Sequence, residues 1–267
     1  MKKFLILGSL LIAVFLLSGC GPKKTTTENL PNTEPTPIPT KPIEQSIKER
    51  PYVSLLPTAD RHWVTMEIKK IPQGTKGIDY DLTYFADFEG SKIERGVSTG
   101  GVPVDLNGAT EYSKKVLFGS ASCTTGTCKY KYDENVTEGA LSIKFVGGEK
   151  YETAYRIQKG KEALTDGFST GDGIFMLKAT LPTNSIYLTA SSIGLLTQLP
   201  SGVIAKSLPY AVFPSISGKA TVFFKTDLGN AVIYAYSSSG WQKLTTTLSA
   251  GEAKAETSGA SLFILTQ

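Results

Sequence analysis

The stretch Ile78-Asp79-Tyr80-Asp81-Leu82-Thr83-Tyr84-Phe85-Ala86-Asp87-Phe88 decides the fold class. Ile78, Tyr80, Leu82 and Tyr84 recur at every second position, with Asp79, Asp81 and Thr83 between them. That is the period of a strand with one buried face and one wet face. The same period runs through residues 62–71, where Val64, Met66 and Ile68 alternate with Thr65, Glu67 and Lys69. Outward from these two segments, strands are expected at 91–97, 102–106, 112–120, 129–132, 140–146 and 151–157. Turn chemistry separates them, most clearly at Asn107-Gly108 and Gly147-Gly148. Further along, strands are expected at 173–181, 185–189, 210–213, 219–226, 231–237, 241–245, 253–256 and 260–266, with turns at Asp227-Leu228-Gly229-Asn230 and Ser238-Ser239-Gly240. In residues 191–199, Ile193, Leu195, Leu196 and Leu199 suit a short helix as well as a bent strand. Long helix-forming runs of Ala, Leu, Glu and Lys are missing from the rest. The expectation is an all-β chain with two antiparallel β-sandwich domains, 49–159 and 160–267.

The N-terminus is of another kind. Lys2 and Lys3 precede an apolar run over residues 4–17, too short for a transmembrane helix of about 20 residues and laid out like a secretory signal. The run closes on Leu17-Ser18-Gly19-Cys20, which resembles the bacterial lipoprotein lipobox. The resemblance implies that residues 1–19 are a signal peptide that is cut away, and that Cys20 becomes the first residue. Its thiol would carry a diacylglycerol, with fatty acids such as palmitate, holding the chain on a membrane. Two or three acyl chains anchor stably where one holds marginally. Gly21 stands where an Asp would, in that family, favour inner-membrane retention. Residues 20–48 then form a disordered linker, carrying Pro22, Pro31, Pro35, Pro37, Pro39 and Pro42 among threonines with almost nothing apolar to bury. Such a tether spans roughly 30 Å as a coil and up to about 85 Å extended.

Removing the leader takes Lys2 and Lys3 from the 28 basic residues and leaves 26 against 24 acidic ones. A near-neutral balance without a clustered basic face gives no case for nucleic acid. With Cys20 assigned to lipid, Cys123 and Cys128 remain as a pair. They bracket Thr124-Thr125-Gly126-Thr127, a loop of hairpin length, and facing residues of antiparallel strands lie within disulfide range. A disulfide is expected. Two sulfurs without nearby histidines do not complete a zinc shell, and the spacing is not that of C-x-x-C redox motifs.

Two segments match G-x-S-x-G, around Ser98 and Ser169. That pattern carries meaning on a strand-to-helix turn with a histidine later in the chain. His62 is the single histidine, it precedes both serines, and strand patterns follow them. No catalytic residue, metal site or cofactor is expected, and the chain is not expected to be an enzyme. Asp79 and Asp81 share a strand face and invite a calcium or acid–base reading, but no D-x-D-x-D-G loop encloses them. Lys129-Tyr130-Lys131-Tyr132 interleaves charge and aromatic rings; on a strand its ordinary outcome is tyrosines in and lysines out. Trp63, Trp241, Tyr130 and Tyr132 are the candidate contacts for a glycan or protein partner.

The segment 231–244, followed by 253–265, is similar to the closing strands of immunoglobulin-like or ZU5-like modules in bacterial surface proteins, where a hairpin presents a Trp (here Trp241) and the last strand buries a Phe (here Phe263). The resemblance implies a module that presents surfaces or mediates contacts. The expected function is a lipid-anchored cell-envelope protein, exported to the cell surface or periplasmic face, acting as a non-enzymatic binding, adhesion or structural module. A carbohydrate-binding or cell-wall-acting envelope protein is the alternative. Exposed, coplanar aromatic rings beside a groove would favour it.

Overall fold

A computed structural model describes residues 46–267, so the expected signal peptide, the lipid on Cys20 and nearly all of the linker lie outside the described residues. The described chain is all-β apart from one four-residue helix, and it belongs to a single compact unit running to Gln267.

Its frame is a ten-stranded antiparallel sheet. The first half contributes β3 (Gly77–Phe88), β4 (Ser91–Ser98), β5 (Val104–Asp105), β9 (Glu138–Phe145) and β10 (Lys150–Lys159). The second half contributes β13 (Ile186–Ser191), β14 (Tyr210–Phe213), β16 (Val232–Ser237), β17 (Gly240–Lys243) and β20 (Leu262–Thr266). The halves join where β10 pairs with β13, Ile157 opposite Leu188. Three strands, β1 (Tyr52–Pro57), β2 (Trp63–Lys69) and β6 (Tyr112–Leu117), form a separate sheet. A five-stranded sheet holds β11 (Phe168–Ser169), β12 (Phe175–Ala179), β15 (Lys219–Lys225), β18 (Thr246–Ser249) and β19 (Glu252–Ser258). The hairpin β7 (Gly119–Thr124) and β8 (Thr127–Tyr132) stands as a two-stranded sheet, and helix α1 (Glu162–Thr165) follows β10.

Alternation along the strands explains how these layers pack. Ile78, Tyr80, Leu82 and Tyr84 of β3 meet Val64, Met66 and Ile68 of β2 in one core. A second core gathers Phe175, Leu177, Val222 and Phe224 of the five-stranded sheet with Tyr210, Val212, Ile233 and Phe263 of the large one. Strand β13 serves both: Ile186, Leu188 and Ala190 enter the first core and the intervening Tyr187 enters the second. The smaller sheets therefore cover opposite faces of the shared one, and β13 is buried along all six residues. The large sheet runs on across the boundary expected at 159/160, and the first core draws Ile186, Leu188, Ala190 and Ile193 from beyond it.

Several segments differ from expectation. The strand expected over 112–120 breaks after Leu117, because Gly119 turns away at φ +144° and a Cβ there would meet the Lys131 carbonyl at 2.2 Å. The strand expected over 102–106 shortens to β5, and β1, β11 and β18 are additional. After Ser191, the segment to 199 is neither helix nor strand. It runs irregularly with Ile193, Leu195 and Leu199 buried, pinned by the Lys70 ammonium, which donates to the Leu195 carbonyl at 2.8 Å. The backbone of Arg50 and Pro51 packs closely on Gly194, in the space that a Cβ there would occupy.

The buried tyrosines set an alkaline limit on this fold. Burial first, then the neighbouring Asp133 for Tyr84 and Asp172 for Tyr210, pushes the hydroxyls of Tyr84, Tyr155 and Tyr210 well above the ordinary value. These groups stay neutral while folded but ionise near pH 10 once unfolded. The stability they contribute is complete below about pH 10 and is lost as pH rises beyond it. Thermal unfolding midpoints should hold steady up to about pH 10 and then fall, with tyrosinate absorbance rising abruptly at unfolding. A smooth tyrosinate titration of all tyrosines at the ordinary value would contradict this.

Candidate functional site

The β7–β8 hairpin carries the site. Its turn, Thr125-Gly126, has φ +46° and +84°, the two positive values of a type I′ connection. The loop between the cysteines is therefore tighter than expected: Cys123 and Cys128 are a directly opposed strand pair, and the disulfide between them forms. Cys128, Tyr130 and Tyr132 share one face by alternation; Lys129 and Lys131 take the other.

The expectation that these tyrosines turn inward does not hold. Tyr130 is 45% exposed and Tyr132 38%, because no further layer covers this two-stranded arm. Their rings instead form the outer part of an aromatic ridge. Tyr132 stacks on His62 at 3.8 Å between centroids and 4° between planes. Tyr130 lies near-parallel to Tyr132 at 6.1 Å and 11°, and meets Trp63 edge-on at 5.4 Å. The Lys115 ammonium sits 4.8 Å from the Trp63 ring centre, in cation–π range. Three of the four aromatic candidates, Trp63, Tyr130 and Tyr132, are thus brought together.

Trp241 is not with them. It packs in the second half against Tyr236, and its indole N–H donates to the Thr197 carbonyl at 3.3 Å, holding the irregular segment onto the sheet.

A polar network fixes the base of the arm. The Tyr84 hydroxyl donates to Asp133 Oδ2 at 2.8 Å and accepts the Gly119 N–H at 3.0 Å. Arg95 Nε lies 3.4 Å from the same Asp133 oxygen, the Asp133 N–H donates to the Phe118 carbonyl, and the Phe118 N–H donates to the His62 carbonyl. These contacts bind both ends of the hairpin to β3, β4 and the start of β2. At the neighbouring turn, Asp60 accepts from the Thr58 hydroxyl and the His62 backbone and lies 3.2 Å from His62 Nδ1. The Thr58 hydroxyl, then the His62 N–H, hold the Asp60 carboxyl below the usual carboxylate range. A cleft of about 490 Å³ adjoins the ridge, lined by Asp60, Arg61, His62, Tyr132, Glu134 and Asn135 among others.

The remaining candidates lie elsewhere. Asp79 accepts from the Thr99 hydroxyl, and Asp87 accepts from the Asn135 amide at 2.7 Å. Among the described residues, no group of three or more His, Cys, Asp or Glu is gathered closely enough to hold a metal ion. Ser98 ends β4 and accepts the Gly100 N–H; Ser169, in β11, accepts from Arg156 at 2.8 Å. Ser169 follows a helix and leads into a strand, the reverse of a nucleophile elbow.

Nothing in the sequence marks His62 as part of a ridge or points to Lys115, Arg95 or Asp133. His62-Trp63 stands at the start of a strand, and nothing local ties it to residues seventy positions on.

The chain matches no protein family, curated protein or solved structure with which it was compared. Among the described residues no helix is long and apolar enough to cross a membrane. The ridge therefore has to be interpreted from its own chemistry: rigidly mounted rings, open on one side, beside polar groups able to donate and accept hydrogen bonds. Such a surface can grip a ligand by apolar contact and orient it by hydrogen bonds.

Removing the staple, with Cys123→Ser and Cys128→Ser together, should loosen the arm. The short ring it closes is worth about 2 kcal/mol by the loop-entropy relation. Hydrogen exchange is expected to quicken in β7 and β8 while β3, β9 and β10 keep their protection. Unchanged exchange in the arm would show that the base network alone orders it.

Proposed function

We propose that the chain is an exported protein of the cell envelope, held to a membrane by diacylglycerol on Cys20, and that it is a non-enzymatic binding module whose contact surface is the aromatic ridge of the stapled hairpin. The observation that carries this reading is the display of Tyr130 and Tyr132 in solvent on an arm fixed at its tip by a disulfide and at its base by Tyr84, Asp133 and Arg95. Exposed aromatics cost free energy to keep in water, and rigid rings lose little entropy on contact, the usual properties of a binding surface. An extracytoplasmic setting suits the disulfide. The two cores are read as immunoglobulin-like sandwich modules that have come to share a sheet. The Pro/Thr linker gives the module reach, and no nucleic-acid partner is proposed.

The reading as a carbohydrate-binding or cell-wall-acting envelope protein is favoured by one feature, the near-parallel rings beside a cleft carrying Arg61 and Glu134. Rings that contact sugar C–H faces, flanked by groups that bond hydroxyls, are the means by which such ligands are held.

The test is adsorption of the purified full-length chain to isolated, protein-stripped envelope polysaccharide. The double variant Tyr130→Ala, Tyr132→Ala is expected to bind about tenfold more weakly, at unchanged unfolding midpoint. Equal adsorption by the variant would remove the ridge as the contact surface. The mass of the N-terminal peptide from membrane fractions is expected to show an acylated Cys20.

A further inference from the structure

A larger cleft, of about 540 Å³, lies over β3, β9 and β10 on the face turned away from the three-stranded sheet, with the turn at residues 170–172 and Leu208 as its wall. Its size is that of sites for small ligands. The strand register explains its shape. Thr83 stands opposite Ala140, and Ala140 opposite Ala154, so that three small side chains form a floor about 10 Å long across the strands. The next row, Asp81 opposite Ser142 and Ser142 opposite Glu152, raises carboxylates along one side. Lys150, opposite Lys144 in the following row, reaches back to within 2.7 Å of Glu152. Opposite, the wall is built on hydrogen bonds: Asp172 accepts from the Thr170 hydroxyl, from the Tyr210 hydroxyl and from the Ile174 N–H. A shallower cleft of about 290 Å³ shares Asp81, Ser142 and Lys150 and runs on to Gly100 and Gly101, so the concavity is elongated.

Three physical facts limit what fits. The two clefts together set Asp79, Asp81, Glu152 and Asp172 against Lys144 and Lys150, an excess of two negative charges, which repels phosphate and uronate polymers. Strands β3, β9 and β10 are each paired on both sides, so an extended peptide laid across them finds no free ladder of backbone groups. Side chains remain as the bonding partners: carboxylates and hydroxyls at the sides, methyl groups on the floor. That combination suits a chain with many hydroxyl donors and a flat C–H face.

We infer that this cleft is a binding site for a non-anionic saccharide chain, seated across β3, β9 and β10 with a sugar face on Ala140 and Ala154 and hydroxyls donating to Asp81 and Glu152. The site lies on the face of the large sheet opposite the core beneath the ridge and uses none of the ridge's residues, so either can fail alone.

The test titrates isotope-labelled, full-length chain with neutral hexasaccharides of glucose, mannose and N-acetylglucosamine, and with the hexasaccharide of galacturonate. At least one neutral probe is expected to shift amides at 81–83, 140–142, 152–154 and 170–172, and galacturonate is expected to leave them unmoved. Ala140 and Ala154 are exposed, so Ala140→Leu with Ala154→Leu fills the floor without entering a core. That variant should keep its unfolding midpoint and lose about tenfold or more in affinity. The Tyr130→Ala, Tyr132→Ala variant should bind the probe at this cleft as the parent does. No shift at these amides with any neutral probe at millimolar concentration, equal binding by the filled variant, or shifts there with galacturonate would each overturn the inference. Loss of envelope adsorption in the ridge variant, together with no shift at these amides, would leave the ridge standing and this cleft refuted.

Discussion

Gly139→Ala should lower the stability of this protein by about 3 kcal/mol or more. Gly139 lies in β9 between β3 and β10. A Cβ there would come within 2.1 Å of the Thr83 carbonyl oxygen and 2.5 Å of the Tyr155 hydroxyl oxygen. Neither neighbour can yield. The Tyr155 ring passes over the missing side chain to donate to the Thr83 carbonyl at 2.9 Å, and it is buried in the first core. Relief would require either parting β3 from β9 or leaving a buried hydroxyl without its acceptor, and each is costly. Gly229, which has open space around it and no positive φ, is the matched control, and its alanine variant should stay within about 0.5 kcal/mol. Urea unfolding of both variants decides the matter. An unaffected Gly139→Ala protein would mean that Tyr155 does not cross the strand as described.

Phe263→Ala is expected to cost about 3–5 kcal/mol, and the cost should be felt in the half of the chain that does not contain it. Phe263 is fully buried on β20, with its ring 5.6 Å from that of Phe175, which stacks in turn on Tyr210. The cavity left behind is walled by strands of both the large and the five-stranded sheet, so little collapse can fill it. Because β13 supplies side chains to both cores, loss of the second core removes one face of the strand that closes the first. In a Trp241→Phe background, Trp63 reports the first half alone. Its denaturation midpoint should fall together with that of the whole chain. A Trp63 transition that stays at the parental midpoint would show that the two cores melt independently.

The alternation in β3 was enough to place its inner and outer residues, because only one of its faces is apolar, and the same holds for β2. Strand β13 was harder to read. Tyr187, Thr189 and Ser191 alternate with Ile186, Leu188 and Ala190 and read as a wet face, yet all six residues are buried; alternation does not show whether a second layer covers the polar side. Nothing in that stretch shows that one sheet continues through β13 from β10. The cysteine pair was legible from spacing alone, because a tight turn leaves its flanking residues opposite one another. The orientation of Tyr130 and Tyr132 was not: alternation says that they share a face, but not whether anything covers it. His62 could not be found because its partners lie seventy residues away, across a break at Gly119 whose cause, the Lys131 carbonyl, belongs to the facing strand.

The ridge should be open to solvent outside the cytoplasm, and chemical labelling of tyrosine tests both points at once. Cells with any outer layer opened and the cytoplasmic membrane intact are treated with a membrane-impermeant iodinating reagent, and the peptides are read by mass. Tyr130 and Tyr132 should be modified, while Tyr84, Tyr155 and Tyr210, all 2% exposed or less, should stay unmodified. If Tyr130 and Tyr132 are spared until the cytoplasmic membrane is broken, or are modified no faster than the buried three, an outward-facing binding ridge is ruled out.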